Sequence, residues 1–205
     1  LLYSIKKFIN WMDSLSIQIQ MTYLERELPI SRRIAYIGIL ISLAIILRLI
    51  KHMIIGPIQF VNFPAAFTII GSCLFGPITG FITGFSSYFI SDIMIGLPGL
   101  WTFVNGFLMG FLGMINGLIW GRNRNYNKIG IAISSYITLL AFDILSSWIL
   151  YILIGFDWFY ALIISIIGLF LPVAGGFLYA VGPITEFITV LLIISIIHVI
   201  RKNNI

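Results

Sequence analysis

Charge is what this chain has least of. Asp, Glu, Lys and Arg make up 9% of its 205 residues, against 60% hydrophobic, whereas a soluble domain carries about 25% charged residues. That is too little polar surface to coat a globule in water. Cysteine is equally scarce. The single Cys73 excludes an internal disulfide and, lacking a cysteine partner, argues against a thiolate metal site. Its apolar neighbours make it read as a small core residue. Catalytic signatures are missing as well. No HExxH or GxSxG occurs, and His52 and His198 are expected at opposite membrane faces. No Walker sequence is present, so energy from ATP has to enter through another chain. No catalytic residue, metal ligand or cofactor is expected.

What is present is apolar sequence in membrane-sized pieces. A helix needs about 20 apolar residues to cross the hydrocarbon layer, which leaves room for about six spans. The expected fold is an all-α integral membrane protein with six transmembrane helices plus an N-terminal amphipathic helix. Residues 1–28 make the amphipathic helix: Ile5, Phe8, Met12, Leu15 and Ile19 recur at steps of three and four, and Lys6, Lys7, Asn10, Asp13, Gln18 and Gln20 fill the other face. Too polar to span, it lies in the membrane interface or against a partner. No small-residue cleavage site follows, so this segment is expected to stay in the protein.

The membrane domain, 33–202, reads as spans over about 34–50, 60–75, 78–95, 101–120, 129–154 and 184–200. The apolar run 159–171 is short for a span and reads as re-entrant or surface-lying. Gly-Pro-Ile tripeptides beginning at Gly56, Gly76 and Gly182 each precede a span, and proline suits the first helical turn. The net charge of +5 does not point to nucleic acid, because the basic residues flank apolar spans as lipid topology demands. With the N-terminus inside, every Lys and Arg except Arg48 and Lys51 falls on the cytoplasmic side. A seventh span would carry Arg201 and Lys202 to the wrong face. The expected place is the cell membrane, with both termini cytoplasmic.

Glycines recur at four-residue steps: Gly76, Gly80 and Gly84 in the third span, then Gly106 and Gly110, and Gly113 and Gly117, in the fourth. Stacked on one face, they permit close helix approach. They are expected to pack these two spans together, or else to form a sliding surface for a partner subunit. Ala35, Gly38 and Ser42 form a shorter version in the first span.

This topology gathers costly polar groups near the outer surface. Arg48, Lys51 and His52 end the first span, Asn62 starts the second, and Asp92 ends the third. Trp101 and Asn105 open the fourth, Trp148 lies in the outer half of the fifth, and Glu186 sits in the first turn of the sixth. Asp143 lies deeper, near the middle of the fifth. Tryptophans at helix ends also make the ordinary interfacial belt, and long basic side chains snorkel. Taken together, the residues read as an outward pocket for a small amphipathic ligand. Arg48 and Lys51 would pair with a ligand carboxylate or phosphate, or with Asp92.

One family shows this combination. The stretch Pro57-Ile58-Gln59-Phe60-Val61-Asn62-Phe63-Pro64-Ala65-Ala66, then Leu74-Phe75-Gly76-Pro77 with Gly80 and Gly84, then Ser91-Asp92 and Gly96-Leu97-Pro98-Gly99, is similar to S components of energy-coupling-factor transporters. So is Gly110-Phe111-Leu112-Gly113 through Gly117-Leu118-Ile119-Trp120. The resemblance is best over 34–120 and rests on hydropathy and length beyond. It implies a six-helix subunit in the lipid bilayer that binds a vitamin or related micronutrient in an outward pocket closed by the loop between spans one and two. It also implies partners, namely a membrane T component and two cytoplasmic ATPase subunits. The family's alanine-x-x-x-alanine contact with the T component is absent, because Ile39 stands four residues after Ala35; Gly38 and Ser42 would take its place. The alternatives from the residues are a structural subunit of a membrane complex, or a secondary transporter using Asp92, Asp143 or Glu186 for protons.

Overall fold

The computed structural model describes residues 30–56, 58, 60–96, 98–121, 127–171, 173–175, 178–180 and 182–202. The amphipathic helix expected over 1–28 lies outside them. By internal contacts the chain divides into residues 1–35 and 36–205, and the packing below belongs to the second unit.

Seven helices run among the described residues: α1 Ile30–Ile55, α2 Phe63–Phe75, α3 Pro77–Ile95, α4 Leu100–Trp120, α5 Lys128–Leu153, α6 Trp158–Phe170 and α7 Gly182–Lys202. α1, α3, α4, α5 and the Gly182–Ile200 part of α7 are long and apolar enough to cross a bilayer. α2 and α6 have 13 residues each, about 20 Å at a rise of 1.5 Å per residue. α6 fills the apolar run that was too short for a span, and Leu171 turns extended just before Pro172, where the proline ring disfavours helix. Two short antiparallel strands follow, β1 Val173–Gly175 and β2 Leu178–Ala180, with Val173 opposite Ala180. This hairpin is an addition to the all-helical expectation.

Two boundaries differ from the hydropathy reading for physical reasons. α1 runs past its apolar stretch at both ends and includes Arg32, Arg33, Lys51 and His52, because long basic side chains let a helix continue into polar surroundings. It ends at Gly56, whose φ of +80° is the left-handed conformation that glycine adopts freely. The first Gly-Pro-Ile therefore follows one helix instead of starting the next. α2 starts at Phe63. Its cap is Asn62, whose Oδ1 accepts a hydrogen bond from the Ala65 N–H at 3.2 Å, with proline in the first turn; both satisfy helix-start geometry. Pro77 opens α3 and Gly182 opens α7.

α2 is the centre of the packing. Pro64 through Cys73 are all buried, covered by α3, α4 and α7. A helix too short to match the hydrocarbon is thus wrapped in protein, not lipid. Its Thr68 and Ser72 hydroxyls donate to carbonyls of its own turns, Pro64 O at 2.7 Å and Ile69 O at 2.8 Å, so they bring no orphan donor into the core.

Against it stands the antiparallel pair α3–α4. A Cβ on Gly80 would come 2.5 Å from the Gly113 carbonyl oxygen, one on Gly84 2.8 Å from that of Met109, and one on Gly117 2.5 Å from the Pro77 Cα. Backbones approach this closely only because side chains are missing. Beside the glycines runs an aromatic ladder. Phe81 meets Phe111 at 5.3 Å, Phe85 meets Phe107 at 4.8 Å, and Phe89 meets Phe103 at 5.3 Å, in the tilted and edge-on arrangements that ring quadrupoles favour. α5 packs on α4, α6 and α7. α1 is the least embedded helix, with Leu40, Ala44 and Ile45 its buried residues and Tyr36 stacked on Phe75 at 5.0 Å.

Substitution at the glycine contacts tests this packing. Gly80→Leu and Gly113→Leu should each lower the detergent melting temperature, reflecting overpacking of about 3 kcal/mol or more. Gly38, with nothing within 4 Å of its Cβ position, should accept leucine without loss. Equal melting of Gly80→Leu and Gly38→Leu would remove the glycine contacts from the stability argument.

Candidate ligand site

The polar side chains of the bundle collect at the end where α1 and α3 finish and α2 and α7 begin. Each element sends a stripe. α3 places Ser87, Tyr88, Ser91 and Asp92 on one buried face, at the spacing of successive helical turns. α7 does the same with Thr185, Glu186 and Thr189. Asn62, the α2 cap, stands between them: its Oδ1 accepts from the Tyr88 hydroxyl at 2.8 Å, and its own N–H donates to Thr189 Oγ1 at 3.0 Å.

Arg48 ties α1 to this arrangement. Its Nη2 lies 2.6 Å from Asp92 Oδ1, its Nη1 donates to Ser91 Oγ, and the guanidinium carbon lies 5.2 Å from the centre of the Tyr88 ring. Planar fork, carboxylate and aromatic face are all matched to arginine. Of the pairings expected for this side chain, the structure shows the one with Asp92. Lys51 is engaged differently, donating to the Ile58 carbonyl at 3.1 Å, which ties the end of α1 to the loop before α2.

Asp143, expected deeper and apart, faces Glu186 across the α5–α7 contact. Glu186 is 1% exposed, and its oxygens have no donor other than the facing Asp143 carboxyl, with which they can share a proton. Asn62 Nδ2 and Asp92 Oδ2 are likewise buried without partners. Buried polar atoms in folded proteins are normally satisfied; besides these, unpartnered buried atoms occur on Thr83, Asn105, Asn116 and Ser135, outside the cluster.

Other expected members stand aside. Trp148 donates its indole N–H to the Trp158 carbonyl at 2.9 Å, joining α5 to α6. The Trp101 ring lies over Gly99. Asn105 keeps a buried, unpartnered Oδ1 on α4, and His52 accepts the N–H of Gly56 on its carbonyl at the α1 terminus. An open groove of about 440 Å³ at the α5–α6 turn, lined by Ile154, Phe156, Asp157 and Tyr160 among others, shares no residue with the cluster. No group of three or more potential metal ligands occurs among the described residues.

At this point the comparison with known families decides the assignment. A family model described as ECF-type riboflavin transporter, S component, matches residues 30–200. The chain belongs to that family. It is accordingly a substrate-binding S component of an energy-coupling-factor transporter and a multi-pass membrane protein, and its family is one of transporters, not enzymes. Among curated proteins and solved structures no significant match is found.

Sequence reasoning about this S component missed Tyr88, Ser91 and Thr189. Their signal was visible, since polar residues at positions 87, 88, 91 and 92, and again at 185, 186 and 189, form narrow stripes on otherwise apolar helices. The Arg48–Asp92 pair invites a double-mutant cycle in detergent. Arg48→Ala strands a buried carboxylate and should cost about 3 kcal/mol, whereas Arg48→Ala combined with Asp92→Ala should cost clearly less than the sum of the singles. Additive losses in chemical unfolding would mean that the pair contributes no coupling.

Proposed function

We propose that this S component captures riboflavin, or a closely related flavin, for import, at the cluster formed by Asn62, Tyr88, Asp143 and Glu186. In this reading the cluster end faces outward and both termini are cytoplasmic. Arg48 and Asp92 hold α1 over the cluster. The observation that carries the proposal is the family match over 30–200, whose description names a riboflavin transporter. The unsatisfied buried polar atoms of Asn62, Asp92 and Glu186 support it from the side of the structure, since a binding site keeps a few polar groups in an apolar setting.

The orientation follows from charge. Lys128 and His198 approach to 3.5 Å at the opposite end, near Arg201 and Lys202 in sequence, and basic residues accumulate on the cytoplasmic face. The chain has no nucleotide-binding motif of its own, so transport is driven by two ATPase subunits through a T component in the membrane. On α1, Gly38 and Ser42 are exposed, as is Ala35, and they present small residues where a partner helix can come close.

Mass spectrometry of small molecules retained through detergent purification should find a flavin, and riboflavin titration should quench fluorescence from the protein's 5 tryptophans. Absence of both overturns the capture reading. Gly38→Leu with Ser42→Leu should keep riboflavin binding while reducing co-purification of the T component. Unimpaired assembly would place that contact elsewhere.

A further inference from the structure

The cluster holds a buried donor without a partner on α2 and, on the adjoining α7, a buried carboxyl with spare acceptor capacity, and the network around the donor fixes its identity. Asn62 Oδ1 takes two hydrogen bonds, from the Tyr88 hydroxyl at 2.8 Å and the Ala65 N–H at 3.2 Å. That assigns the oxygen and leaves the amide nitrogen, buried and without a partner, as a donor facing elsewhere. Its residue is 2% exposed. The acceptors are the oxygens of Glu186, buried and with no donor other than the facing Asp143 carboxyl, with which a shared proton makes one hydrogen bond and leaves the second oxygen free to accept. Asn62 and Glu186 are neighbours through α7: the Asn62 N–H bonds Thr189, which lies three residues after Glu186 on the same helix face. Asp143 stands opposite Glu186. Arg48 offers no relief to the carboxyl pair, because its ion pair is with Asp92.

From this juxtaposition we propose that Asn62 Nδ2 and Glu186 together read a lactam or imide edge of the ligand, the amide donating to a ring carbonyl and the carboxylate accepting from the adjacent ring N–H. An edge that alternates carbonyl and N–H is the chemistry that satisfies a donor and an acceptor held side by side. The N–H also places a partial positive charge beside two carboxyls that otherwise face each other across an apolar interior. The flavin ring system ends in such an edge, a ring N–H flanked by two carbonyls. This rests on the proposed capture of a flavin and says which end of it enters deepest.

The test uses the intact wild-type protein first. Riboflavin is compared with N3-methylriboflavin, which keeps both carbonyls and loses the N–H, by fluorescence titration in detergent. The methylated ligand should bind about tenfold or more weakly, because it leaves a buried acceptor without its hydrogen bond. Glu186→Leu, which keeps volume and removes the acceptor, should bind riboflavin more weakly and reduce the difference between the two ligands to about threefold or less. Equal affinity of the two ligands for wild type overturns the edge assignment while leaving flavin capture standing. Undiminished discrimination in Glu186→Leu, checked for an unchanged melting profile, assigns the N–H contact to another residue and overturns it too. Binding of neither ligand to wild type removes the capture reading and this proposal with it.

Discussion

The near-contact of the α3 and α4 backbones is the constraint on which the other elements depend. In lipid, helices gain nothing by hiding apolar surface from one another, so association rests on dispersion and on any hydrogen bonds they share. Glycines at Gly80, Gly84, Gly113 and Gly117 let main chain meet main chain, and the phenylalanines beside them lock the register. The pair then forms a wall against which the buried α2 packs. Asn62, at the head of α2, is held by that packing opposite Tyr88 on one side and Thr189 on the other. A displacement of α3 along α4 by one turn would separate Tyr88 from Asn62 and Asp92 from Arg48.

The cluster itself has two parts of different character. Arg48, Ser91, Asp92 and Tyr88 are joined by an ion pair, a hydrogen bond and a ring contact, and act as a brace. Breaking one member leaves a charge in an apolar setting, which is far worse than never having had the pair. Asn62 and Glu186 are left with unused hydrogen-bonding capacity. In the proposed function, structure and recognition are thus divided between neighbouring side chains: the Arg48 group holds α1 in place, and Asn62 and Glu186 receive the ligand. α1 contributes little else to the bundle, with Leu40, Ala44 and Ile45 as its buried residues, so its attachment depends strongly on one arginine.

Much of this was legible in the sequence because bilayer physics is strict. Scarcity of charge, span length and the glycine spacing led to the helices and to the α3–α4 contact. Arg48, Asn62, Asp92 and Glu186 stood out as polar groups where polarity is costly. What escaped was positional. Asn62 was read as a ligand group, yet Asn-Phe-Pro also spells a capped helix start, and the structure gives its oxygen to that cap. Asp143 was set apart by counting depth along one helix, which says nothing about the residue opposite on another. Trp148 was grouped by level alone, and its indole turned out to serve the α5–α6 joint. The Gly-Phe repeats at 80–81, 84–85, 106–107 and 110–111 carried the aromatic ladder in plain view, but the glycines drew attention away from their neighbours.

The shortness of α2 has a bearing on how the protein is made. At 13 residues it falls well below the roughly 20 that a segment needs to partition into a bilayer by itself. Its threonine, serine and asparagine cap would meet lipid unshielded if it entered alone. During synthesis, then, α2 has to cross together with α3 and wait for α4, because its lipid-compatible surface exists only after those helices have closed around it. The most deeply buried helix of the finished protein is the one least able to enter the membrane unaided.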